Sequence, residues 1–477
     1  MESSAFSTNQ RKNPLTMITK PLVAALAIAF CSTAFSYQTA NGRIMDSAGN
    51  AIQLRGVNWF GFDTTTHVVH GLWAKNWKTQ IQQMQDLGFN AVRLPFCPGT
   101  LRGSAPNSID YSINPDLINL SALQIMDKIV RELDSRGFRI LLDHHTPDCA
   151  TISELWYTPN YSEAQWLSDL QLVATQFAGI PGVIGIDLKN EPHGAATWGT
   201  GQQATDWNLA AERAAAKVMP IAPHWLMFVE GVADAWNCAS GYGHGWGGNL
   251  EPMNCTPLKI PANRLVLAPH AYGPDVYNQS YFNDPAFPGN MPAIWEQHFG
   301  QFAKSGYPVV LGEFGGKYGR GLPGDVAWQN AMVSYMIGKK MTDSFYWSWN
   351  PNSGDTGGIL NEDWTTVRTD KMDLLKKLWT SAAAGTTAVP ATAASGFKVQ
   401  VTVDNDWGSG YCAHVDVTNS GVTSAKWNVT VAITGKVNDL WNAVWTSAGS
   451  SIKVSGFGWN ESIAPNASAQ FGFCAVR

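Results

Sequence analysis

The chain is predicted to be an α/β protein, a (β/α)8 TIM barrel followed by a small antiparallel β-sandwich. Eight short runs rich in Val, Ile, Leu and Phe, each ending in polar or aromatic residues, recur along residues 37–380. Continuous apolar runs of this length read as strands buried on both faces. Helical patterns separate most of them, and eight such alternations close a parallel sheet into a barrel. Residues 397–477 instead alternate as FKVQVTV, AHVDVTN, WNVTVAI and SIKVSGF between Gly, Asn and Ser, the pattern of a small sandwich of short strands.

Taken in order, the first strand is read at 52–59, and the helix after it at 74–87, stopped by Gly88. Strand two (91–96) is followed by a helix at 121–136 that ends at Gly137. Strand three (139–145) precedes a helix at 162–178, which opens with a capping box, Ser162 with Gln165, and stops at Gly179 before Pro181. Strand four is placed at 183–192 with a helix at 205–219, and strand five at 225–231. The fifth unit is irregular: residues 232–263 are rich in Gly, Trp, Asn and Pro, and are expected to form a long loop clipped by Cys238–Cys255. Strand six (264–272), a helix (291–304), strand seven (308–315), a helix (325–340), strand eight (344–351) and a closing helix (370–379) complete the barrel. Residues 381–396 (SAAAGTTAVPATAASG) carry no charge and have the composition of a flexible linker.

Ahead of the barrel, Arg11, Lys12 and Lys20 precede an apolar run at 22–30, and Ala34-Phe35-Ser36 offers small residues to a signal peptidase. Residues 1–36 are therefore expected to be a signal peptide cleaved before Tyr37, with Met17 an alternative start. The apolar run is far shorter than the ~20 residues that span a bilayer, so no membrane anchor is expected in the mature, secreted chain. Export leaves Cys97, Cys149, Cys238, Cys255, Cys412 and Cys474 as disulfide candidates in an oxidising compartment. Cys412 and Cys474 lie near the two ends of the sandwich, where a bridge would close a long loop. No Cys or His spacing suggests a metal site, and no cofactor is expected.

Charged residues make up only 14% of the chain, against about 25% in an average soluble domain. The net charge of −5 lacks the basic stripe that phosphate backbones require, so no nucleic-acid partner is expected. Twenty-one Trp stand beside 32 Lys+Arg, a surface suited to a neutral partner with hydroxyls and flat apolar faces. Serine-hydrolase chemistry lacks its G-x-S-x-G elbow.

In such a barrel the active site lies at the C-terminal ends of the strands. Strand two offers Arg93 there, strand three His145, strand four Asn190 and Glu191, strand six His270 and Tyr272, strand seven Glu313 and strand eight Trp347. Two glutamates from distant strands face each other only because the barrel closes. Alternation turns His144 away from His145, so it reads as structural, and Glu230 and Asp143 read as supporting or packing residues.

These residues belong to motifs. Gly56-Val57-Asn58-Trp59, Arg93-Leu94-Pro95, Asp143-His144-His145, Asn190-Glu191-Pro192, His270-Ala271-Tyr272, Gly312-Glu313-Phe314 and Trp347-Ser348-Trp349-Asn350 occur in the order found in glycoside hydrolase family 5. The chain resembles the bacterial endo-β-1,4-glucanases of that family at every strand position but the fifth. The resemblance implies a retaining mechanism with Glu191 as acid/base and Glu313 as nucleophile, surrounded by Arg93, His145, Asn190, His270, Tyr272 and Trp347. Physical chemistry agrees: retention needs two carboxyl groups about 5–5.5 Å apart, one ionised and one protonated. Arg93 and Tyr272 are expected to favour the charge on Glu313. Glu191 needs a less cationic setting to keep its proton, Asn190 is placed for the sugar 2-hydroxyl, and Trp347 for a platform under the distorted sugar. Further sugar platforms are expected at Trp73, on the loop after strand one, and at Trp246, in the long fifth loop. His70, Lys317 and Asp355 are candidates for polar contacts.

Residues 397–477 resemble a family 2 carbohydrate-binding module through Asn405-Asp406-Trp407-Gly408, Leu440-Trp441-Asn442-Ala443, Trp459-Asn460-Glu461-Ser462-Ile463 and Phe471-Gly472-Phe473. The resemblance implies a flat cellulose-binding face of Trp407, Trp441 and Trp459, with Trp427 in the core and Trp445 unassigned. The expected partners are thus cellulose and soluble β-1,4-glucans, bound by a monomer. A mannanase or xyloglucanase on the same barrel is the alternative in the same class, and a non-catalytic polysaccharide-binding protein the alternative outside it.

Overall fold

The first described element is a hairpin, β1 (Gln38–Ala40) and β2 (Arg43–Met45), joined by Asn41-Gly42. Both turn residues have positive φ, 51° and 71°, the conformation whose twist matches a two-residue hairpin. Tyr37 and Ile44 pack against Leu54, Ala91, Leu141, Leu226, Phe228, Val266, Val310 and Phe345, so the hairpin plugs the barrel floor. The structure, a computed structural model, describes residues 36–234, 243–384, 391–393, 396–406 and 410–477. The expected signal peptide, Cys238, Trp407 and the side chain of Trp459 lie outside the described residues.

The barrel strands are β3 (Arg55–Asn58), β4 (Ala91–Phe96), β5 (Arg139–His144), β6 (Val183–Asp187), β7 (Leu226–Val229), β8 (Leu265–Leu267), β9 (His270–Tyr272), β10 (Leu311–Gly315) and β11 (Ser344–Tyr346). All pair in parallel, in the order β8-β7-β6-β5-β4-β3-β11-β10-β9. The two ends of that order, β8 and β9, are halves of one strand interrupted at Ala268 and Pro269, and Leu267 also bridges Val309 in parallel. The ladder therefore closes with eight strand positions, as predicted. Proline has no N–H to donate, which accounts for the break. Strands four and eight were expected to run to 192 and 351 but stop at Asp187 and Tyr346. The apolar pattern continues past them because Leu188 and Trp349 are buried in the loops beyond the ladder.

The helices are α1 (Trp77–Asp86), α2 (Pro98–Leu101), α3 (Ala122–Ser135), α4 (Glu163–Phe177), α5 (Trp207–Val218), α6 (Met291–Trp295), α7 (Gln301–Lys304), α8 (Pro323–Lys339) and α9 (Thr369–Ala384). The short α2 was not foreseen. α1 starts later than expected because Asn76 caps it, accepting the Lys78 and Thr79 backbone N–H groups. The Ser162–Gln165 capping box is present, as is a second at Ser121 and Gln124. A π-turn at Glu296–Gly300 joins α6 to α7. α8 starts two residues early, with Pro323 in its first turn, where a missing N–H costs nothing. The fifth unit has only 3₁₀ turns at Glu251–Asn254 and Ala262–Arg264 among its described residues. No described helix is long and apolar enough to cross a membrane.

The expected linker is shorter than 381–396. Helix α9 continues through the alanines to Ala384, in keeping with their helix propensity, and β12 (Ala391–Ala393) pairs with a sandwich strand. That sandwich comprises β13 (Phe397–Asp406), β14 (Gly410–Asn419), β15 (Ala425–Lys426), β16 (Asn428–Ala432), β17 (Lys436–Trp441), β18 (Val444–Ser447), β19 (Ser451–Ser455), β20 (Ser462–Ile463) and β21 (Ser468–Val476). Two antiparallel sheets, β12-β16-β19-β18 and β13-β14-β21-β17, enclose Val415, Val417, Trp427, Val431, Ile452, Phe471 and Phe473. Cys412 and Cys474 are directly opposed on β14 and β21 and form a disulfide, and Cys97 is bonded to Cys149. Cys255 is also disulfide-bonded.

Candidate active site

Arg93, from the middle of β4, points into the barrel and is fully buried. Its Nη1 donates to Glu313 Oε1 at 2.5 Å and to Asn58 Oδ1 at 3.1 Å. Its Nη2 donates to Asp187 Oδ2 and to Asn190 Oδ1, both at 3.0 Å. The same nitrogen stands 3.1 Å from Asp143 Oδ2 and 3.5 Å from Glu230 Oε1. One guanidinium thus holds together carboxyl groups from four other strand ends. Removing such ions from water is costly, and their mutual hydrogen bonds offset that cost.

The acidic groups exceed the cations, so the cluster retains protons. Burial raises Asp143 and Asp187 to about 7 despite Arg93. Burial pulls Lys189 down to about 8, against the pull of the neighbouring Glu230 and Glu191. Its Nζ donates to the Ser153 and Asn190 carbonyls at 2.8 and 2.6 Å.

Glu191 and Glu313 differ in their partners. Burial raises both. For Glu313 the Arg93 charge, His145 and the Tyr272 hydroxyl, which donates to Oε2 at 2.6 Å, oppose that rise. Among the described residues no cation is bonded to the Glu191 carboxyl, and the charge of Glu313 raises it further. These partners favour the proton on Glu191 over Glu313. One oxygen of each lies, with a ring nitrogen of His270, in a group whose atoms are all within 4.8 Å of one another.

Arg93, His270 and Tyr272 reach the glutamates directly, and the other expected barrel residues lie around that cluster. His270 Nδ1 stands 3.1 Å from Glu191 Oε1 and 3.5 Å from Glu313 Oε2. Asn190 gives its oxygen to Arg93, while its buried Nδ2 has no partner among the described residues. His145 Nδ1 is hydrogen-bonded to Asp143 at 2.7 Å, and its ring lies parallel to Trp347, ring centroids 5.6 Å apart. Trp347 is also parallel to Phe60 at 5.3 Å, and its indole N–H donates to Ser353, whose hydroxyl donates to Asp355. Trp73 is 38% exposed and lies edge-on to Trp364. Trp246 is 48% exposed, with one face stacked on His193 at 3.6 Å. His70 is hemmed in by Phe60 and Asn352, and burial lowers it to about 4. The Lys317 backbone N–H is tied to Asp275. His144 turns outward and meets the Tyr161 hydroxyl at 3.0 Å, the structural role expected of it.

Asp187, Lys189, His193 and Phe60 are participants that the sequence reading did not single out. For Asp187 the signal was present: a carboxylate closing an otherwise apolar strand must point into the barrel or out between helices, and either requires a partner. The aromatic and loop partners carry no such signal, since only tertiary packing brings them together.

On the sandwich, Trp441 is 42% exposed and pairs across the sheet with Gly472. A Cβ at Gly472 would come within 2.2 Å of the indole, so glycine lets that ring lie against the strand. Trp427 is buried, parallel to Phe471, and donates to the Asn460 carbonyl. Trp445 sits half-exposed on the edge strand β18.

Comparison with known proteins agrees with this geometry. Residues 397–477 match the family model of the cellulose binding domain. The chain is 57% identical over 97% of its length, and 99% of the relative's, to the major extracellular endoglucanase of Xanthomonas campestris pv. campestris. It is 45% identical to an endoglucanase of Paenibacillus polymyxa over 72% of this chain and 86% of that one. Among solved structures, the catalytic domain of the Xanthomonas endoglucanase superposes with a TM-score of 0.71 at 63% identity, covering 72% of this chain and all of that one. A hyperthermophilic endocellulase from the archaeon Pyrococcus horikoshii gives 0.70 at 49% identity, covering 72% and 98%. Residues 45–353, which carry the whole Arg93-centred cluster and both glutamates, match the family model described as cellulase, and the chain belongs to glycosyl hydrolase family 5.

Proposed function

We propose that the protein is a secreted endo-β-1,4-glucanase that cleaves internal bonds of cellulose by retaining double displacement. Glu313 is the nucleophile and Glu191 the acid/base. The observation that carries this reading is the spacing and asymmetry of the pair. Their oxygens lie within 4.8 Å, in keeping with the about 5–5.5 Å of retaining enzymes and too close for the attacking water of an inverting one. Of the two glutamates, it is Glu313 that accepts hydrogen bonds from Arg93 and Tyr272, which favours the anion that attacks the anomeric carbon. Glu191, protonated, delivers its proton to the leaving oxygen and then takes one from water as the glycosyl-enzyme hydrolyses. The unpartnered Nδ2 of Asn190 is a donor for the sugar 2-hydroxyl, and Trp347 the platform beneath that sugar, with His145 and Tyr272 beside it. Trp73 and Trp246 carry flanking sugars.

The endoglucanase names of both relatives support the substrate, and the extracellular relative supports secretion after removal of residues 1–36. The segment between α9 and the sandwich acts as a tether. Residues 397–477 hold the monomeric enzyme on cellulose through Trp407, Trp441 and Trp459, raising its effective concentration near the chains. A product profile over glucan, mannan and xyloglucan, with the first-formed anomer recorded by NMR, tests the reading. The β-anomer from glucan is expected. The α-anomer, or a preference for mannan or xyloglucan, overturns it.

A further inference from the structure

Glu230 follows β7 and is fully buried, so it meets neither solvent nor a bound chain. It nevertheless touches both halves of the acid/base apparatus. Its Oε2 accepts the backbone N–H of Glu191 at 2.9 Å. Glu191 has a φ of +52°, a conformation that non-glycine residues adopt only when their surroundings impose it. Glu230 Oε1 stands 3.1 Å from His270 Nε2, off the ideal hydrogen-bond line. The other nitrogen of that ring faces Glu191 and Glu313. His270 is therefore a connector with Glu230 at one end and the reacting pair at the other. The proton arrangement at one nitrogen dictates the arrangement at the other, because a neutral imidazole carries one N–H and one lone pair.

We propose that Glu230 is a positioning residue: as a protonated carboxyl it donates from Oε1 to His270 Nε2, so that His270 presents Nδ1–H to Glu191 and Glu313, while its Oε2 holds the Glu191 backbone. This rests on the roles assigned to the two glutamates above. The surroundings favour the protonated form. Glu230 faces Asp187 and Lys189 from β6 and its loop, Glu191 from the same loop, Arg93 from β4, His270 from β9 and Glu313 from β10, so carboxyl groups outnumber the two cations. Gly247 of the fifth loop closes the remaining side. A Cβ there would lie 2.0 Å from Glu230 Oε2, and Gly231 donates its N–H to the Gly247 carbonyl at 2.8 Å. Burial raises the Glu230 carboxyl well above its ordinary range. An Nδ1–H shared between the glutamates stabilises the anion on Glu313 and steers the proton of Glu191 toward the glycosidic oxygen rather than toward the ring. In the second half-reaction the same N–H steadies the carboxylate that Glu191 has become.

The direct test is nitrogen-15 NMR of the full-length protein with labelled histidine, across the pH range of activity. The Nδ1–H tautomer of neutral His270 is expected, and an Nε2–H tautomer overturns the proposal whatever the role of Glu191. Two variants supply the kinetic arm. E230Q keeps a donor toward His270 and an acceptor for the Glu191 N–H, whereas E230L keeps neither. With cello-oligosaccharides E230L is expected to lose on the order of 100-fold in kcat/KM, and E230Q on the order of tenfold or less, since small displacements of reacting groups have effects of this size. The alkaline limb of the E230L pH profile moves, and the loss is smaller on a dinitrophenyl cellobioside, whose leaving group needs no proton. Equal losses for both variants and both substrates, with an unmoved pH profile, mean that Glu230 only fills space. Failure of the acid/base assignment itself is seen separately, as an E191A variant that does not load the activated substrate.

Discussion

The barrel mouth and the sandwich face meet the same kind of neutral chain by opposite means. At the mouth, Arg93, Asp143, Asp187, Glu230 and Glu313 are all buried ions or acids, tied by bonds of 2.5 to 3.5 Å. On the sandwich the exposed groups include large rings, Trp441 at 42% and Trp445 at 37% exposure. Breaking a glycosidic bond requires charge to develop, and fixed partners in a water-poor site stabilise it far better than water-exposed ones. Holding a chain requires only flat apolar contact, which survives exposure and carries little desolvation cost. Charge buried in one domain and apolar surface exposed in the other are the two reversals of ordinary burial, and each coincides with a site proposed above.

Four experiments sharpen that contrast. The largest effect is expected for E313Q, which removes the nucleophile: turnover of carboxymethylcellulose falls by about 10⁴-fold or more while cellulose pull-down is unchanged. Residual activity near that of the parent overturns the nucleophile assignment. E191A is expected to cost about 10²–10⁴-fold on cello-oligosaccharides, the size of general-acid catalysis, yet still to accumulate glycosyl-enzyme from a dinitrophenyl substrate by mass spectrometry. Next, alanine at both Trp441 and Trp459 weakens adsorption to crystalline cellulose by about tenfold or more and spares soluble substrates. An unchanged adsorption isotherm removes the sandwich from the comparison.

The smallest effect is on stability against pH. Asp143 and Asp187 titrate at about 7 in the folded chain, above the ~3.9 of an unfolded aspartate. A carboxyl raised by folding contributes its stability fully below the unfolded value and loses it as pH rises through the folded one. The melting temperature is therefore expected to fall by several degrees as pH rises from 5 to about 7, and to level off above that. Asp187→Asn flattens that slope; a slope that persists assigns it to other groups.

Much of this was legible in one sequence. Period and punctuation foretold the eight strand positions, the Ser162 capping box and the alternating module, because local patterning and turn chemistry reflect which faces must be buried. The glutamates could be found because a carboxylate ending an apolar strand has few places to go. Strand ends and the linker were misjudged at 188–192, 347–351 and 381–384, where buried loops follow the strands and alanines continue a helix. Of the tryptophans, the sequence could say that they were many. The fold put Trp59, Trp77, Trp156, Trp166, Trp198, Trp207, Trp225, Trp295, Trp328 and Trp349 in the core and left Trp73 and Trp246 outside.

The sequence by itself determined the barrel and the module, which follow from residue type and order, and through its family motifs it pointed to Glu191 and Glu313 as the reacting pair. Only the tertiary structure set Arg93 and Tyr272 against Glu313 rather than Glu191, and placed Glu230 behind His270 and the Glu191 backbone. A residue's charge state depends on what surrounds it in space, and the neighbours that matter here come from β4, β6, β7, β9 and β10, far apart along the chain.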